Sequence, residues 1–243
     1  MKTKIAIIAL FLAAALSPPA HAGLVMLNTT LPAVPKNGGL GTSADLYLSA
    51  PPGYASGCCG YLVAAGYDNL FPSTSATSGP VLSGASHAQL DEMTDGGGKL
   101  GLGLNSNDSP YVGPTDGIVF DLSHVESAIS GDPLTQITFN MYQDITGDAY
   151  WVVFGMSGAN GTGTAKLIAS GPTSTVGAMT VTTNVGTYKS FIIGESNDCA
   201  LDVQGVSLEY ETPELGTMAM SGMSLMGLGA ALRRRKRALT GRG

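Results

Sequence analysis

The side chains best equipped for chemistry in this sequence are Ser157, His87, His124 and a set of carboxylates on glycine-rich stretches. Ser157 stands in FGMSGAN, which departs from the Gly-x-Ser-x-Gly nucleophile elbow and does not lead into a helix-length segment. His124, in DLSHVES, reads as a turn or strand-end residue, and a Ser–His–Asp set is defined by geometry that no spacing here imposes. Asp144 and Asp148 bound the stretch DITGD, and Asp91, Glu92 and Asp95 cluster upstream. Glycosidase chemistry needs two carboxyls facing each other across about 5 to 9 Å, whereas Asp beside Gly is first of all turn chemistry. A secreted hydrolase is disfavoured, and no residue is assigned as catalytic.

Binding chemistry has more to work with. Asp144 and Asp148 in DITGD, and Asn105, Asn107 and Asp108 in NSNDS, put oxygen ligands on short loops suited to calcium. Neither stretch fits the EF-hand loop, since Ala149 occupies the sixth position from Asp144. Trp151 is the sole tryptophan, with Tyr142 and Tyr150 close by in sequence. Exposed on a sheet face, these rings would stack against a sugar. Within YWVVF, however, a tryptophan is more often core. Three cysteines remain: Cys58, Cys59 and Cys199. In an oxidising space, Cys199 can pair with either of the others, closing a loop of about 140 residues, or Cys58 and Cys59 can form a vicinal ring. No histidine spacing supports a zinc site among them.

The elements that would position these groups are strands. TQITFNMYQ (135–143) alternates, with Ile137, Phe139 and Met141 on one face and Thr138, Asn140 and Tyr142 on the other. AYWVVFGM (149–156) is apolar on both faces, as a central strand is, and the turn-length gap before it predicts a hairpin with 135–143. Further strands are expected at 25–31, 44–48, 61–65, 117–122, 164–169, 178–183 and 188–194. In LDVQGVSLEY the inward set Leu201, Val203 slips phase at Gly205 to Val206, Leu208, Tyr210, the signature of a β-bulge. Residues 72–116 read as long surface loops with one or two weak strands, and SHVESAI is the best helical stretch. No repeat recurs at a fixed period. The expected class is all-β, a jelly-roll-like β-sandwich.

The two ends differ in kind from this middle. Lys2 and Lys4, an apolar stretch at 5–16, the helix-breaking SPP and Ala20-His21-Ala22 make a secretory signal with cleavage before Gly23. At the other end, residues 215–232 carry no charge and would reach about 27 Å as a helix, just enough to span a membrane. Arg233, Arg234, Arg235, Lys236 and Arg237 follow at once and would stay on the cytoplasmic side. Between the signals, residues 23–210 hold four lysines, no arginine and sixteen carboxylates, a net charge of −12. That composition excludes a nucleic-acid partner, which needs clustered basic residues.

Pro213-Glu214, an uncharged span and an arginine cluster, in that order, resemble the PEP-CTERM sorting signal of exported bacterial proteins. The usual core is Pro-Glu-Pro; here Leu215 takes the third place. A sortase signal would need Leu-Pro-x-Thr-Gly, which is absent, and a GPI signal lacks the basic end. The resemblance implies three parts: a signal peptide at 1–22, an ectodomain at 23–210 and a sorting signal at 211–243. Within the last, the motif is 212–215, the transmembrane helix 215–232 and the basic tip 233–237. It also implies that Pro213 and Glu214 are read by a membrane-embedded, exosortase-like protease that removes the tail. The protein would be membrane-anchored until then, and afterwards lie at the cell surface or in an extracellular matrix of polysaccharide and biofilm. A non-enzymatic structural or adhesive role follows as the first expectation. A carbohydrate-binding module with structural calcium is the second.

Overall fold

Period-two alternation, broken by Gly, Asp and Pro, gives a chain of short strands. The computed structural model describes residues 23–29, 41–49, 60–71, 79–94, 100–104, 112, 115–128, 133–143, 150–172, 176–196 and 201–212. In chain order the strands are β1 (Gly23–Thr29), β2 (Ser43–Ser49), β3 (Tyr61–Asp68), β4 (Ser86–Ala88), β5 (Leu90–Thr94), β6 (Leu100–Leu104) and β7 (Gly117–Asp121). The short helix α1 (Ser123–Ala128) follows. After it come β8 (Leu134–Gln143), β9 (Tyr150–Met156), a 3₁₀ turn (Ala159–Gly161), β10 (Ala165–Pro172), β11 (Gly177–Asn184), β12 (Ser190–Ser196) and β13 (Leu201–Thr212). The class is all-β, and α1 falls on the stretch expected to be helical.

The strands form two antiparallel sheets. One runs β10-β9-β12-β7-β3, with β2 and β4 pairing successive halves of the free side of β3. The other runs β11-β8-β13-β6-β5. β2 links them: residues 43–47 pair with β3, while Leu48 and Ser49 pair with β1, which lies beside β13. Inward residues of both sheets meet in one core, where Phe139 of β8 lies 5.5 Å from Phe120 of β7 and 5.7 Å from Phe191 of β12, ring centre to ring centre. Fully burying one such ring contributes roughly 1.5–3 kcal/mol.

The expected hairpin between 135–143 and 149–156 is not formed. β8 pairs with β11 and β13, β9 with β10 and β12, so the two strands belong to opposite sheets. Each has an apolar face, and facing across the core buries both; a short Asp- and Gly-rich connection serves a crossing as well as a turn. The phase slip at Gly205 is a real irregularity of the β13–β8 pairing, between Val203 and Gly205. Just beyond it, the Val206 N–H donates to the Thr29 hydroxyl at 2.9 Å, so a donor at the bulge finds a partner on β1.

Residues 72–116 hold more structure than expected. β4, β5 and β6 all lie there, and Leu90, Leu102 and Leu104 are fully buried. The chain just before and within this region also covers the outer face of the first sheet. Leu70 and Phe71 pack there with Val119, Val152, Phe154, Met156 and Ile192 as a second apolar cluster, with Leu82 and Ala85 against it. The Phe71 ring packs against Gly194 and leaves no room for a Cβ there. Central strands β7, β9 and β12 are thus buried on both faces, which is why β9 is apolar throughout.

Candidate functional site

Of the residues singled out from sequence, Asp144, Asp148, Asn105, Asn107, Asp108, Cys58, Cys59, Cys199, Pro213 and Glu214 lie outside the described residues. Among the described residues no three or more His, Cys, Asp or Glu side chains are arranged to hold a metal ion, and no helix is long and apolar enough to cross a membrane.

Trp151, Tyr142 and Tyr150 are described, and the fold separates them. Trp151 packs partly buried against the main core, its indole lying across Gly171 of β10, where a Cβ would be 2.6 Å from the ring. Tyr150 precedes it on the strand and is 48% exposed. Tyr142 sits on the other sheet, on the face of β8 away from Phe139. A single platform from these three rings required the hairpin that does not form. Ser157 is occupied locally: its Oγ accepts the Thr164 N–H at 2.8 Å and closes the turn between β9 and β10. His87 rests against Tyr67, ring centres 4.7 Å apart.

A different aromatic group is assembled where β2, β3 and α1 meet. Register places Tyr47 of β2 directly opposite Tyr61 of β3, with ring centres 5.9 Å apart. Tyr61 in turn stacks on His124 of α1 at 4.4 Å and 19° between planes, with its hydroxyl 3.5 Å from His124 Nε2. The residues alternating with them, Leu46, Leu48 and Leu62, are core. The tyrosines therefore take the outward face by the same period that buries the leucines. Tyr47 is 65% exposed, more than any other large hydrophobic residue described.

Backbone contacts set the position of His124. Gly60, at φ +73°, leads into β3, and the His124 carbonyl oxygen lies 2.6 Å from where its Cβ would stand, so α1 docks directly on the main chain there. Asp121, buried at 3% exposure, accepts the Ser123 N–H on Oδ1 at 2.8 Å, satisfying one of the unpaired donors at the start of α1. Its Oδ2 accepts the Asn160 N–H, tying the 3₁₀ turn to the same carboxylate. Ser190 completes the anchor, accepting from Gly161 N–H at 2.9 Å and donating to the Gly158 carbonyl at 2.7 Å. On the outer side, Lys189 Nζ pairs with Glu126 of α1 at 2.8 Å. The result is a row of three rings with hydroxyl and imidazole edges, held on a fixed frame. Its chemistry is stacking and hydrogen bonding.

Near the other end of β3, Asp68 keeps Oδ1 buried without a hydrogen-bond partner among the described residues, and burial pushes its carboxyl above the ordinary value of 3.8. Burial likewise raises the Tyr67 hydroxyl above 10.0.

Compared with known proteins, the chain matches no protein-family model and no curated protein.

Proposed function

We propose that this chain is an exported surface or extracellular-matrix protein with a non-enzymatic, structural or adhesive role beside extracellular polysaccharide. An exosortase-like membrane protease sorts it, and residues 215–232 anchor it in the membrane until the tail is removed. Its exported domain is a β-sandwich of jelly-roll type. The repeated crossing of consecutive strands between the sheets, β8 to β9, β10 to β11, β11 to β12 and β12 to β13, supports that architecture.

The observation that carries the reading is the order Pro213-Glu214, uncharged span, arginine cluster. The surface also suits a hydrated matrix: Thr138 and Thr182 hydroxyls pair at 2.9 Å on the outer face of the second sheet, and Thr180 donates to Asn140 at 3.1 Å.

Deleting residues 213–243 in the native host tests the sorting role. The full chain is expected to accumulate in the matrix fraction and the truncated chain to be lost to periplasm or medium. The same distribution for both would overturn the proposal.

A further inference from the structure

An edge strand turns a row of backbone N–H and C=O groups to its open side, where another chain can pair with it. β10 ends the first sheet and carries Lys166, Pro172 and a pairing irregularity between Leu167 and Ala169. β5 ends the second sheet and carries Asp91 and Glu92. Charge, proline and bulge are the devices that keep an edge from pairing. β11, at the opposite end of the second sheet, has none of them. Its sequence GAMTVTTN holds no charge and no proline, and all eight residues pair with β8 without a slip. Among the described residues no strand pairs on its other side, and Ala178, Thr180, Thr182 and Asn184 are exposed.

The ladder to β8 decides which groups face outward. Val185 donates its N–H to the carbonyl of Thr135, the residue that the β11–β8 register sets opposite it. Bonding residues alternate along an antiparallel strand, so Thr183, Val181 and Met179 bond to β8. The N–H and C=O groups of Ala178, Thr180, Thr182 and Asn184 point the other way. We infer that β11 pairs antiparallel with β11 of a second copy of this chain, about a two-fold axis at Val181. That register sets Ala178 opposite Asn184 of the second copy, and Thr180 opposite its Thr182. Every outward backbone group of the strand gains a partner. On the outer face the register repeats the threonine pair already made by Thr138 and Thr182; on the inner face Val181 meets Val181.

Charge bears on the occupant. β8 and β11 hold no charged residue, whereas residues 23–210 carry a net −12. Two copies repel each other across most of their surface, and this neutral edge is where they can approach at least cost. A basic partner would seek carboxylates, which the edge lacks. The strand's fit to itself about Val181 then favours a second copy. A two-fold contact uses the same patch on both copies and closes on itself, so it gives dimers and not fibres. One strand pair is a small interface, so a dissociation constant of about 100 μM is expected. The dimer goes beyond the matrix reading and rests on neither the sorting signal nor a polysaccharide.

Sedimentation velocity of the exported protein from about 10 to 500 μM, at low and high salt, tests the pairing. Wild type and Lys166→Ala are expected to dimerise, and more strongly as salt screens the net charge. Thr182→Pro removes an outward N–H, leaves the backbone ladder to β8 whole, and should dimerise about tenfold more weakly. Amide exchange of wild type reads the same contact without a substitution. The Thr180 and Thr182 N–H groups should exchange quickly when dilute and slowly when concentrated, and the Val181 N–H slowly in both. The inference is overturned by a monomer at every concentration, by oligomers that grow beyond the dimer, or by dimers that salt dissolves. Undiminished dimerisation of Thr182→Pro, or outward amides already slow when dilute, would overturn it equally. Tail processing is read from location and mass, so its failure is told apart from failure here.

Discussion

The carbonyl oxygen of His124 occupies the space a side chain on Gly60 would need, 2.6 Å from the missing Cβ. That contact decides where α1 rests on β3, and so where the His124 ring meets Tyr61. Gly60→Ala is expected to destabilise the protein by about 1–3 kcal/mol, through overpacking and through the strain of φ +73° for a residue with a Cβ. Urea unfolding checks it, and a midpoint equal to wild type would mean that α1 is not docked as described.

Asp121 serves two backbone donors from two elements, Ser123 N–H and Asn160 N–H, from a buried position. Each hydrogen bond to a charged acceptor contributes about 1.5–3 kcal/mol. Asp121→Ala should therefore cost about 3 kcal/mol or more, and Asp121→Asn, with one acceptor left, less. By contrast, Lys189→Ala removes only the solvent-facing pair with Glu126 and should cost no more than about 1 kcal/mol. Denaturant midpoints at constant slope rank the three; an equal cost for Lys189→Ala and Asp121→Ala would contradict the account.

Asp68 gives a pH dependence of defined sign. Burial raises its carboxyl above 3.8 in the folded state, so the folded form binds the proton more tightly than the unfolded chain. The contribution to stability is complete below the unfolded value and is lost as pH rises through the folded one. Asp68→Asn should then melt higher than wild type at pH 7, with the gain fading as pH falls towards 3.8. A gain that persists unchanged at low pH would rule out carboxylate desolvation as its cause.

How much of this was legible in sequence depends on how local the signal is. Alternation in TQITFNMYQ and the slip at Gly205 are local, and both appear in the structure as expected. β6 reads LGLGL: its leucines alternate faultlessly, yet the glycines between them look like loop composition. Leu70 and Phe71 cover a second face of the first sheet, which nothing near them in sequence announces. The site suffered most from non-local pairing. Tyr142, Tyr150 and Trp151 are neighbours in the chain and parted by the crossing from β8 to β9. Tyr47, Tyr61 and His124 are spread across the chain and joined by one strand register and one helix contact. Tyr47 in DLYLS carried the only available hint, an aromatic on the polar phase of an alternating strand.

The central claim is that an exported domain is released from a sorting tail. The measurement that tests it most directly is the intact mass of the protein recovered from its native host and from the same host lacking the sorting protease. The account predicts a chain that begins at Gly23 in both and ends near Pro213 only where the protease is present. A mass that retains Arg233 to Arg237 in both hosts would contradict it, and the domain would then be a permanently anchored surface protein.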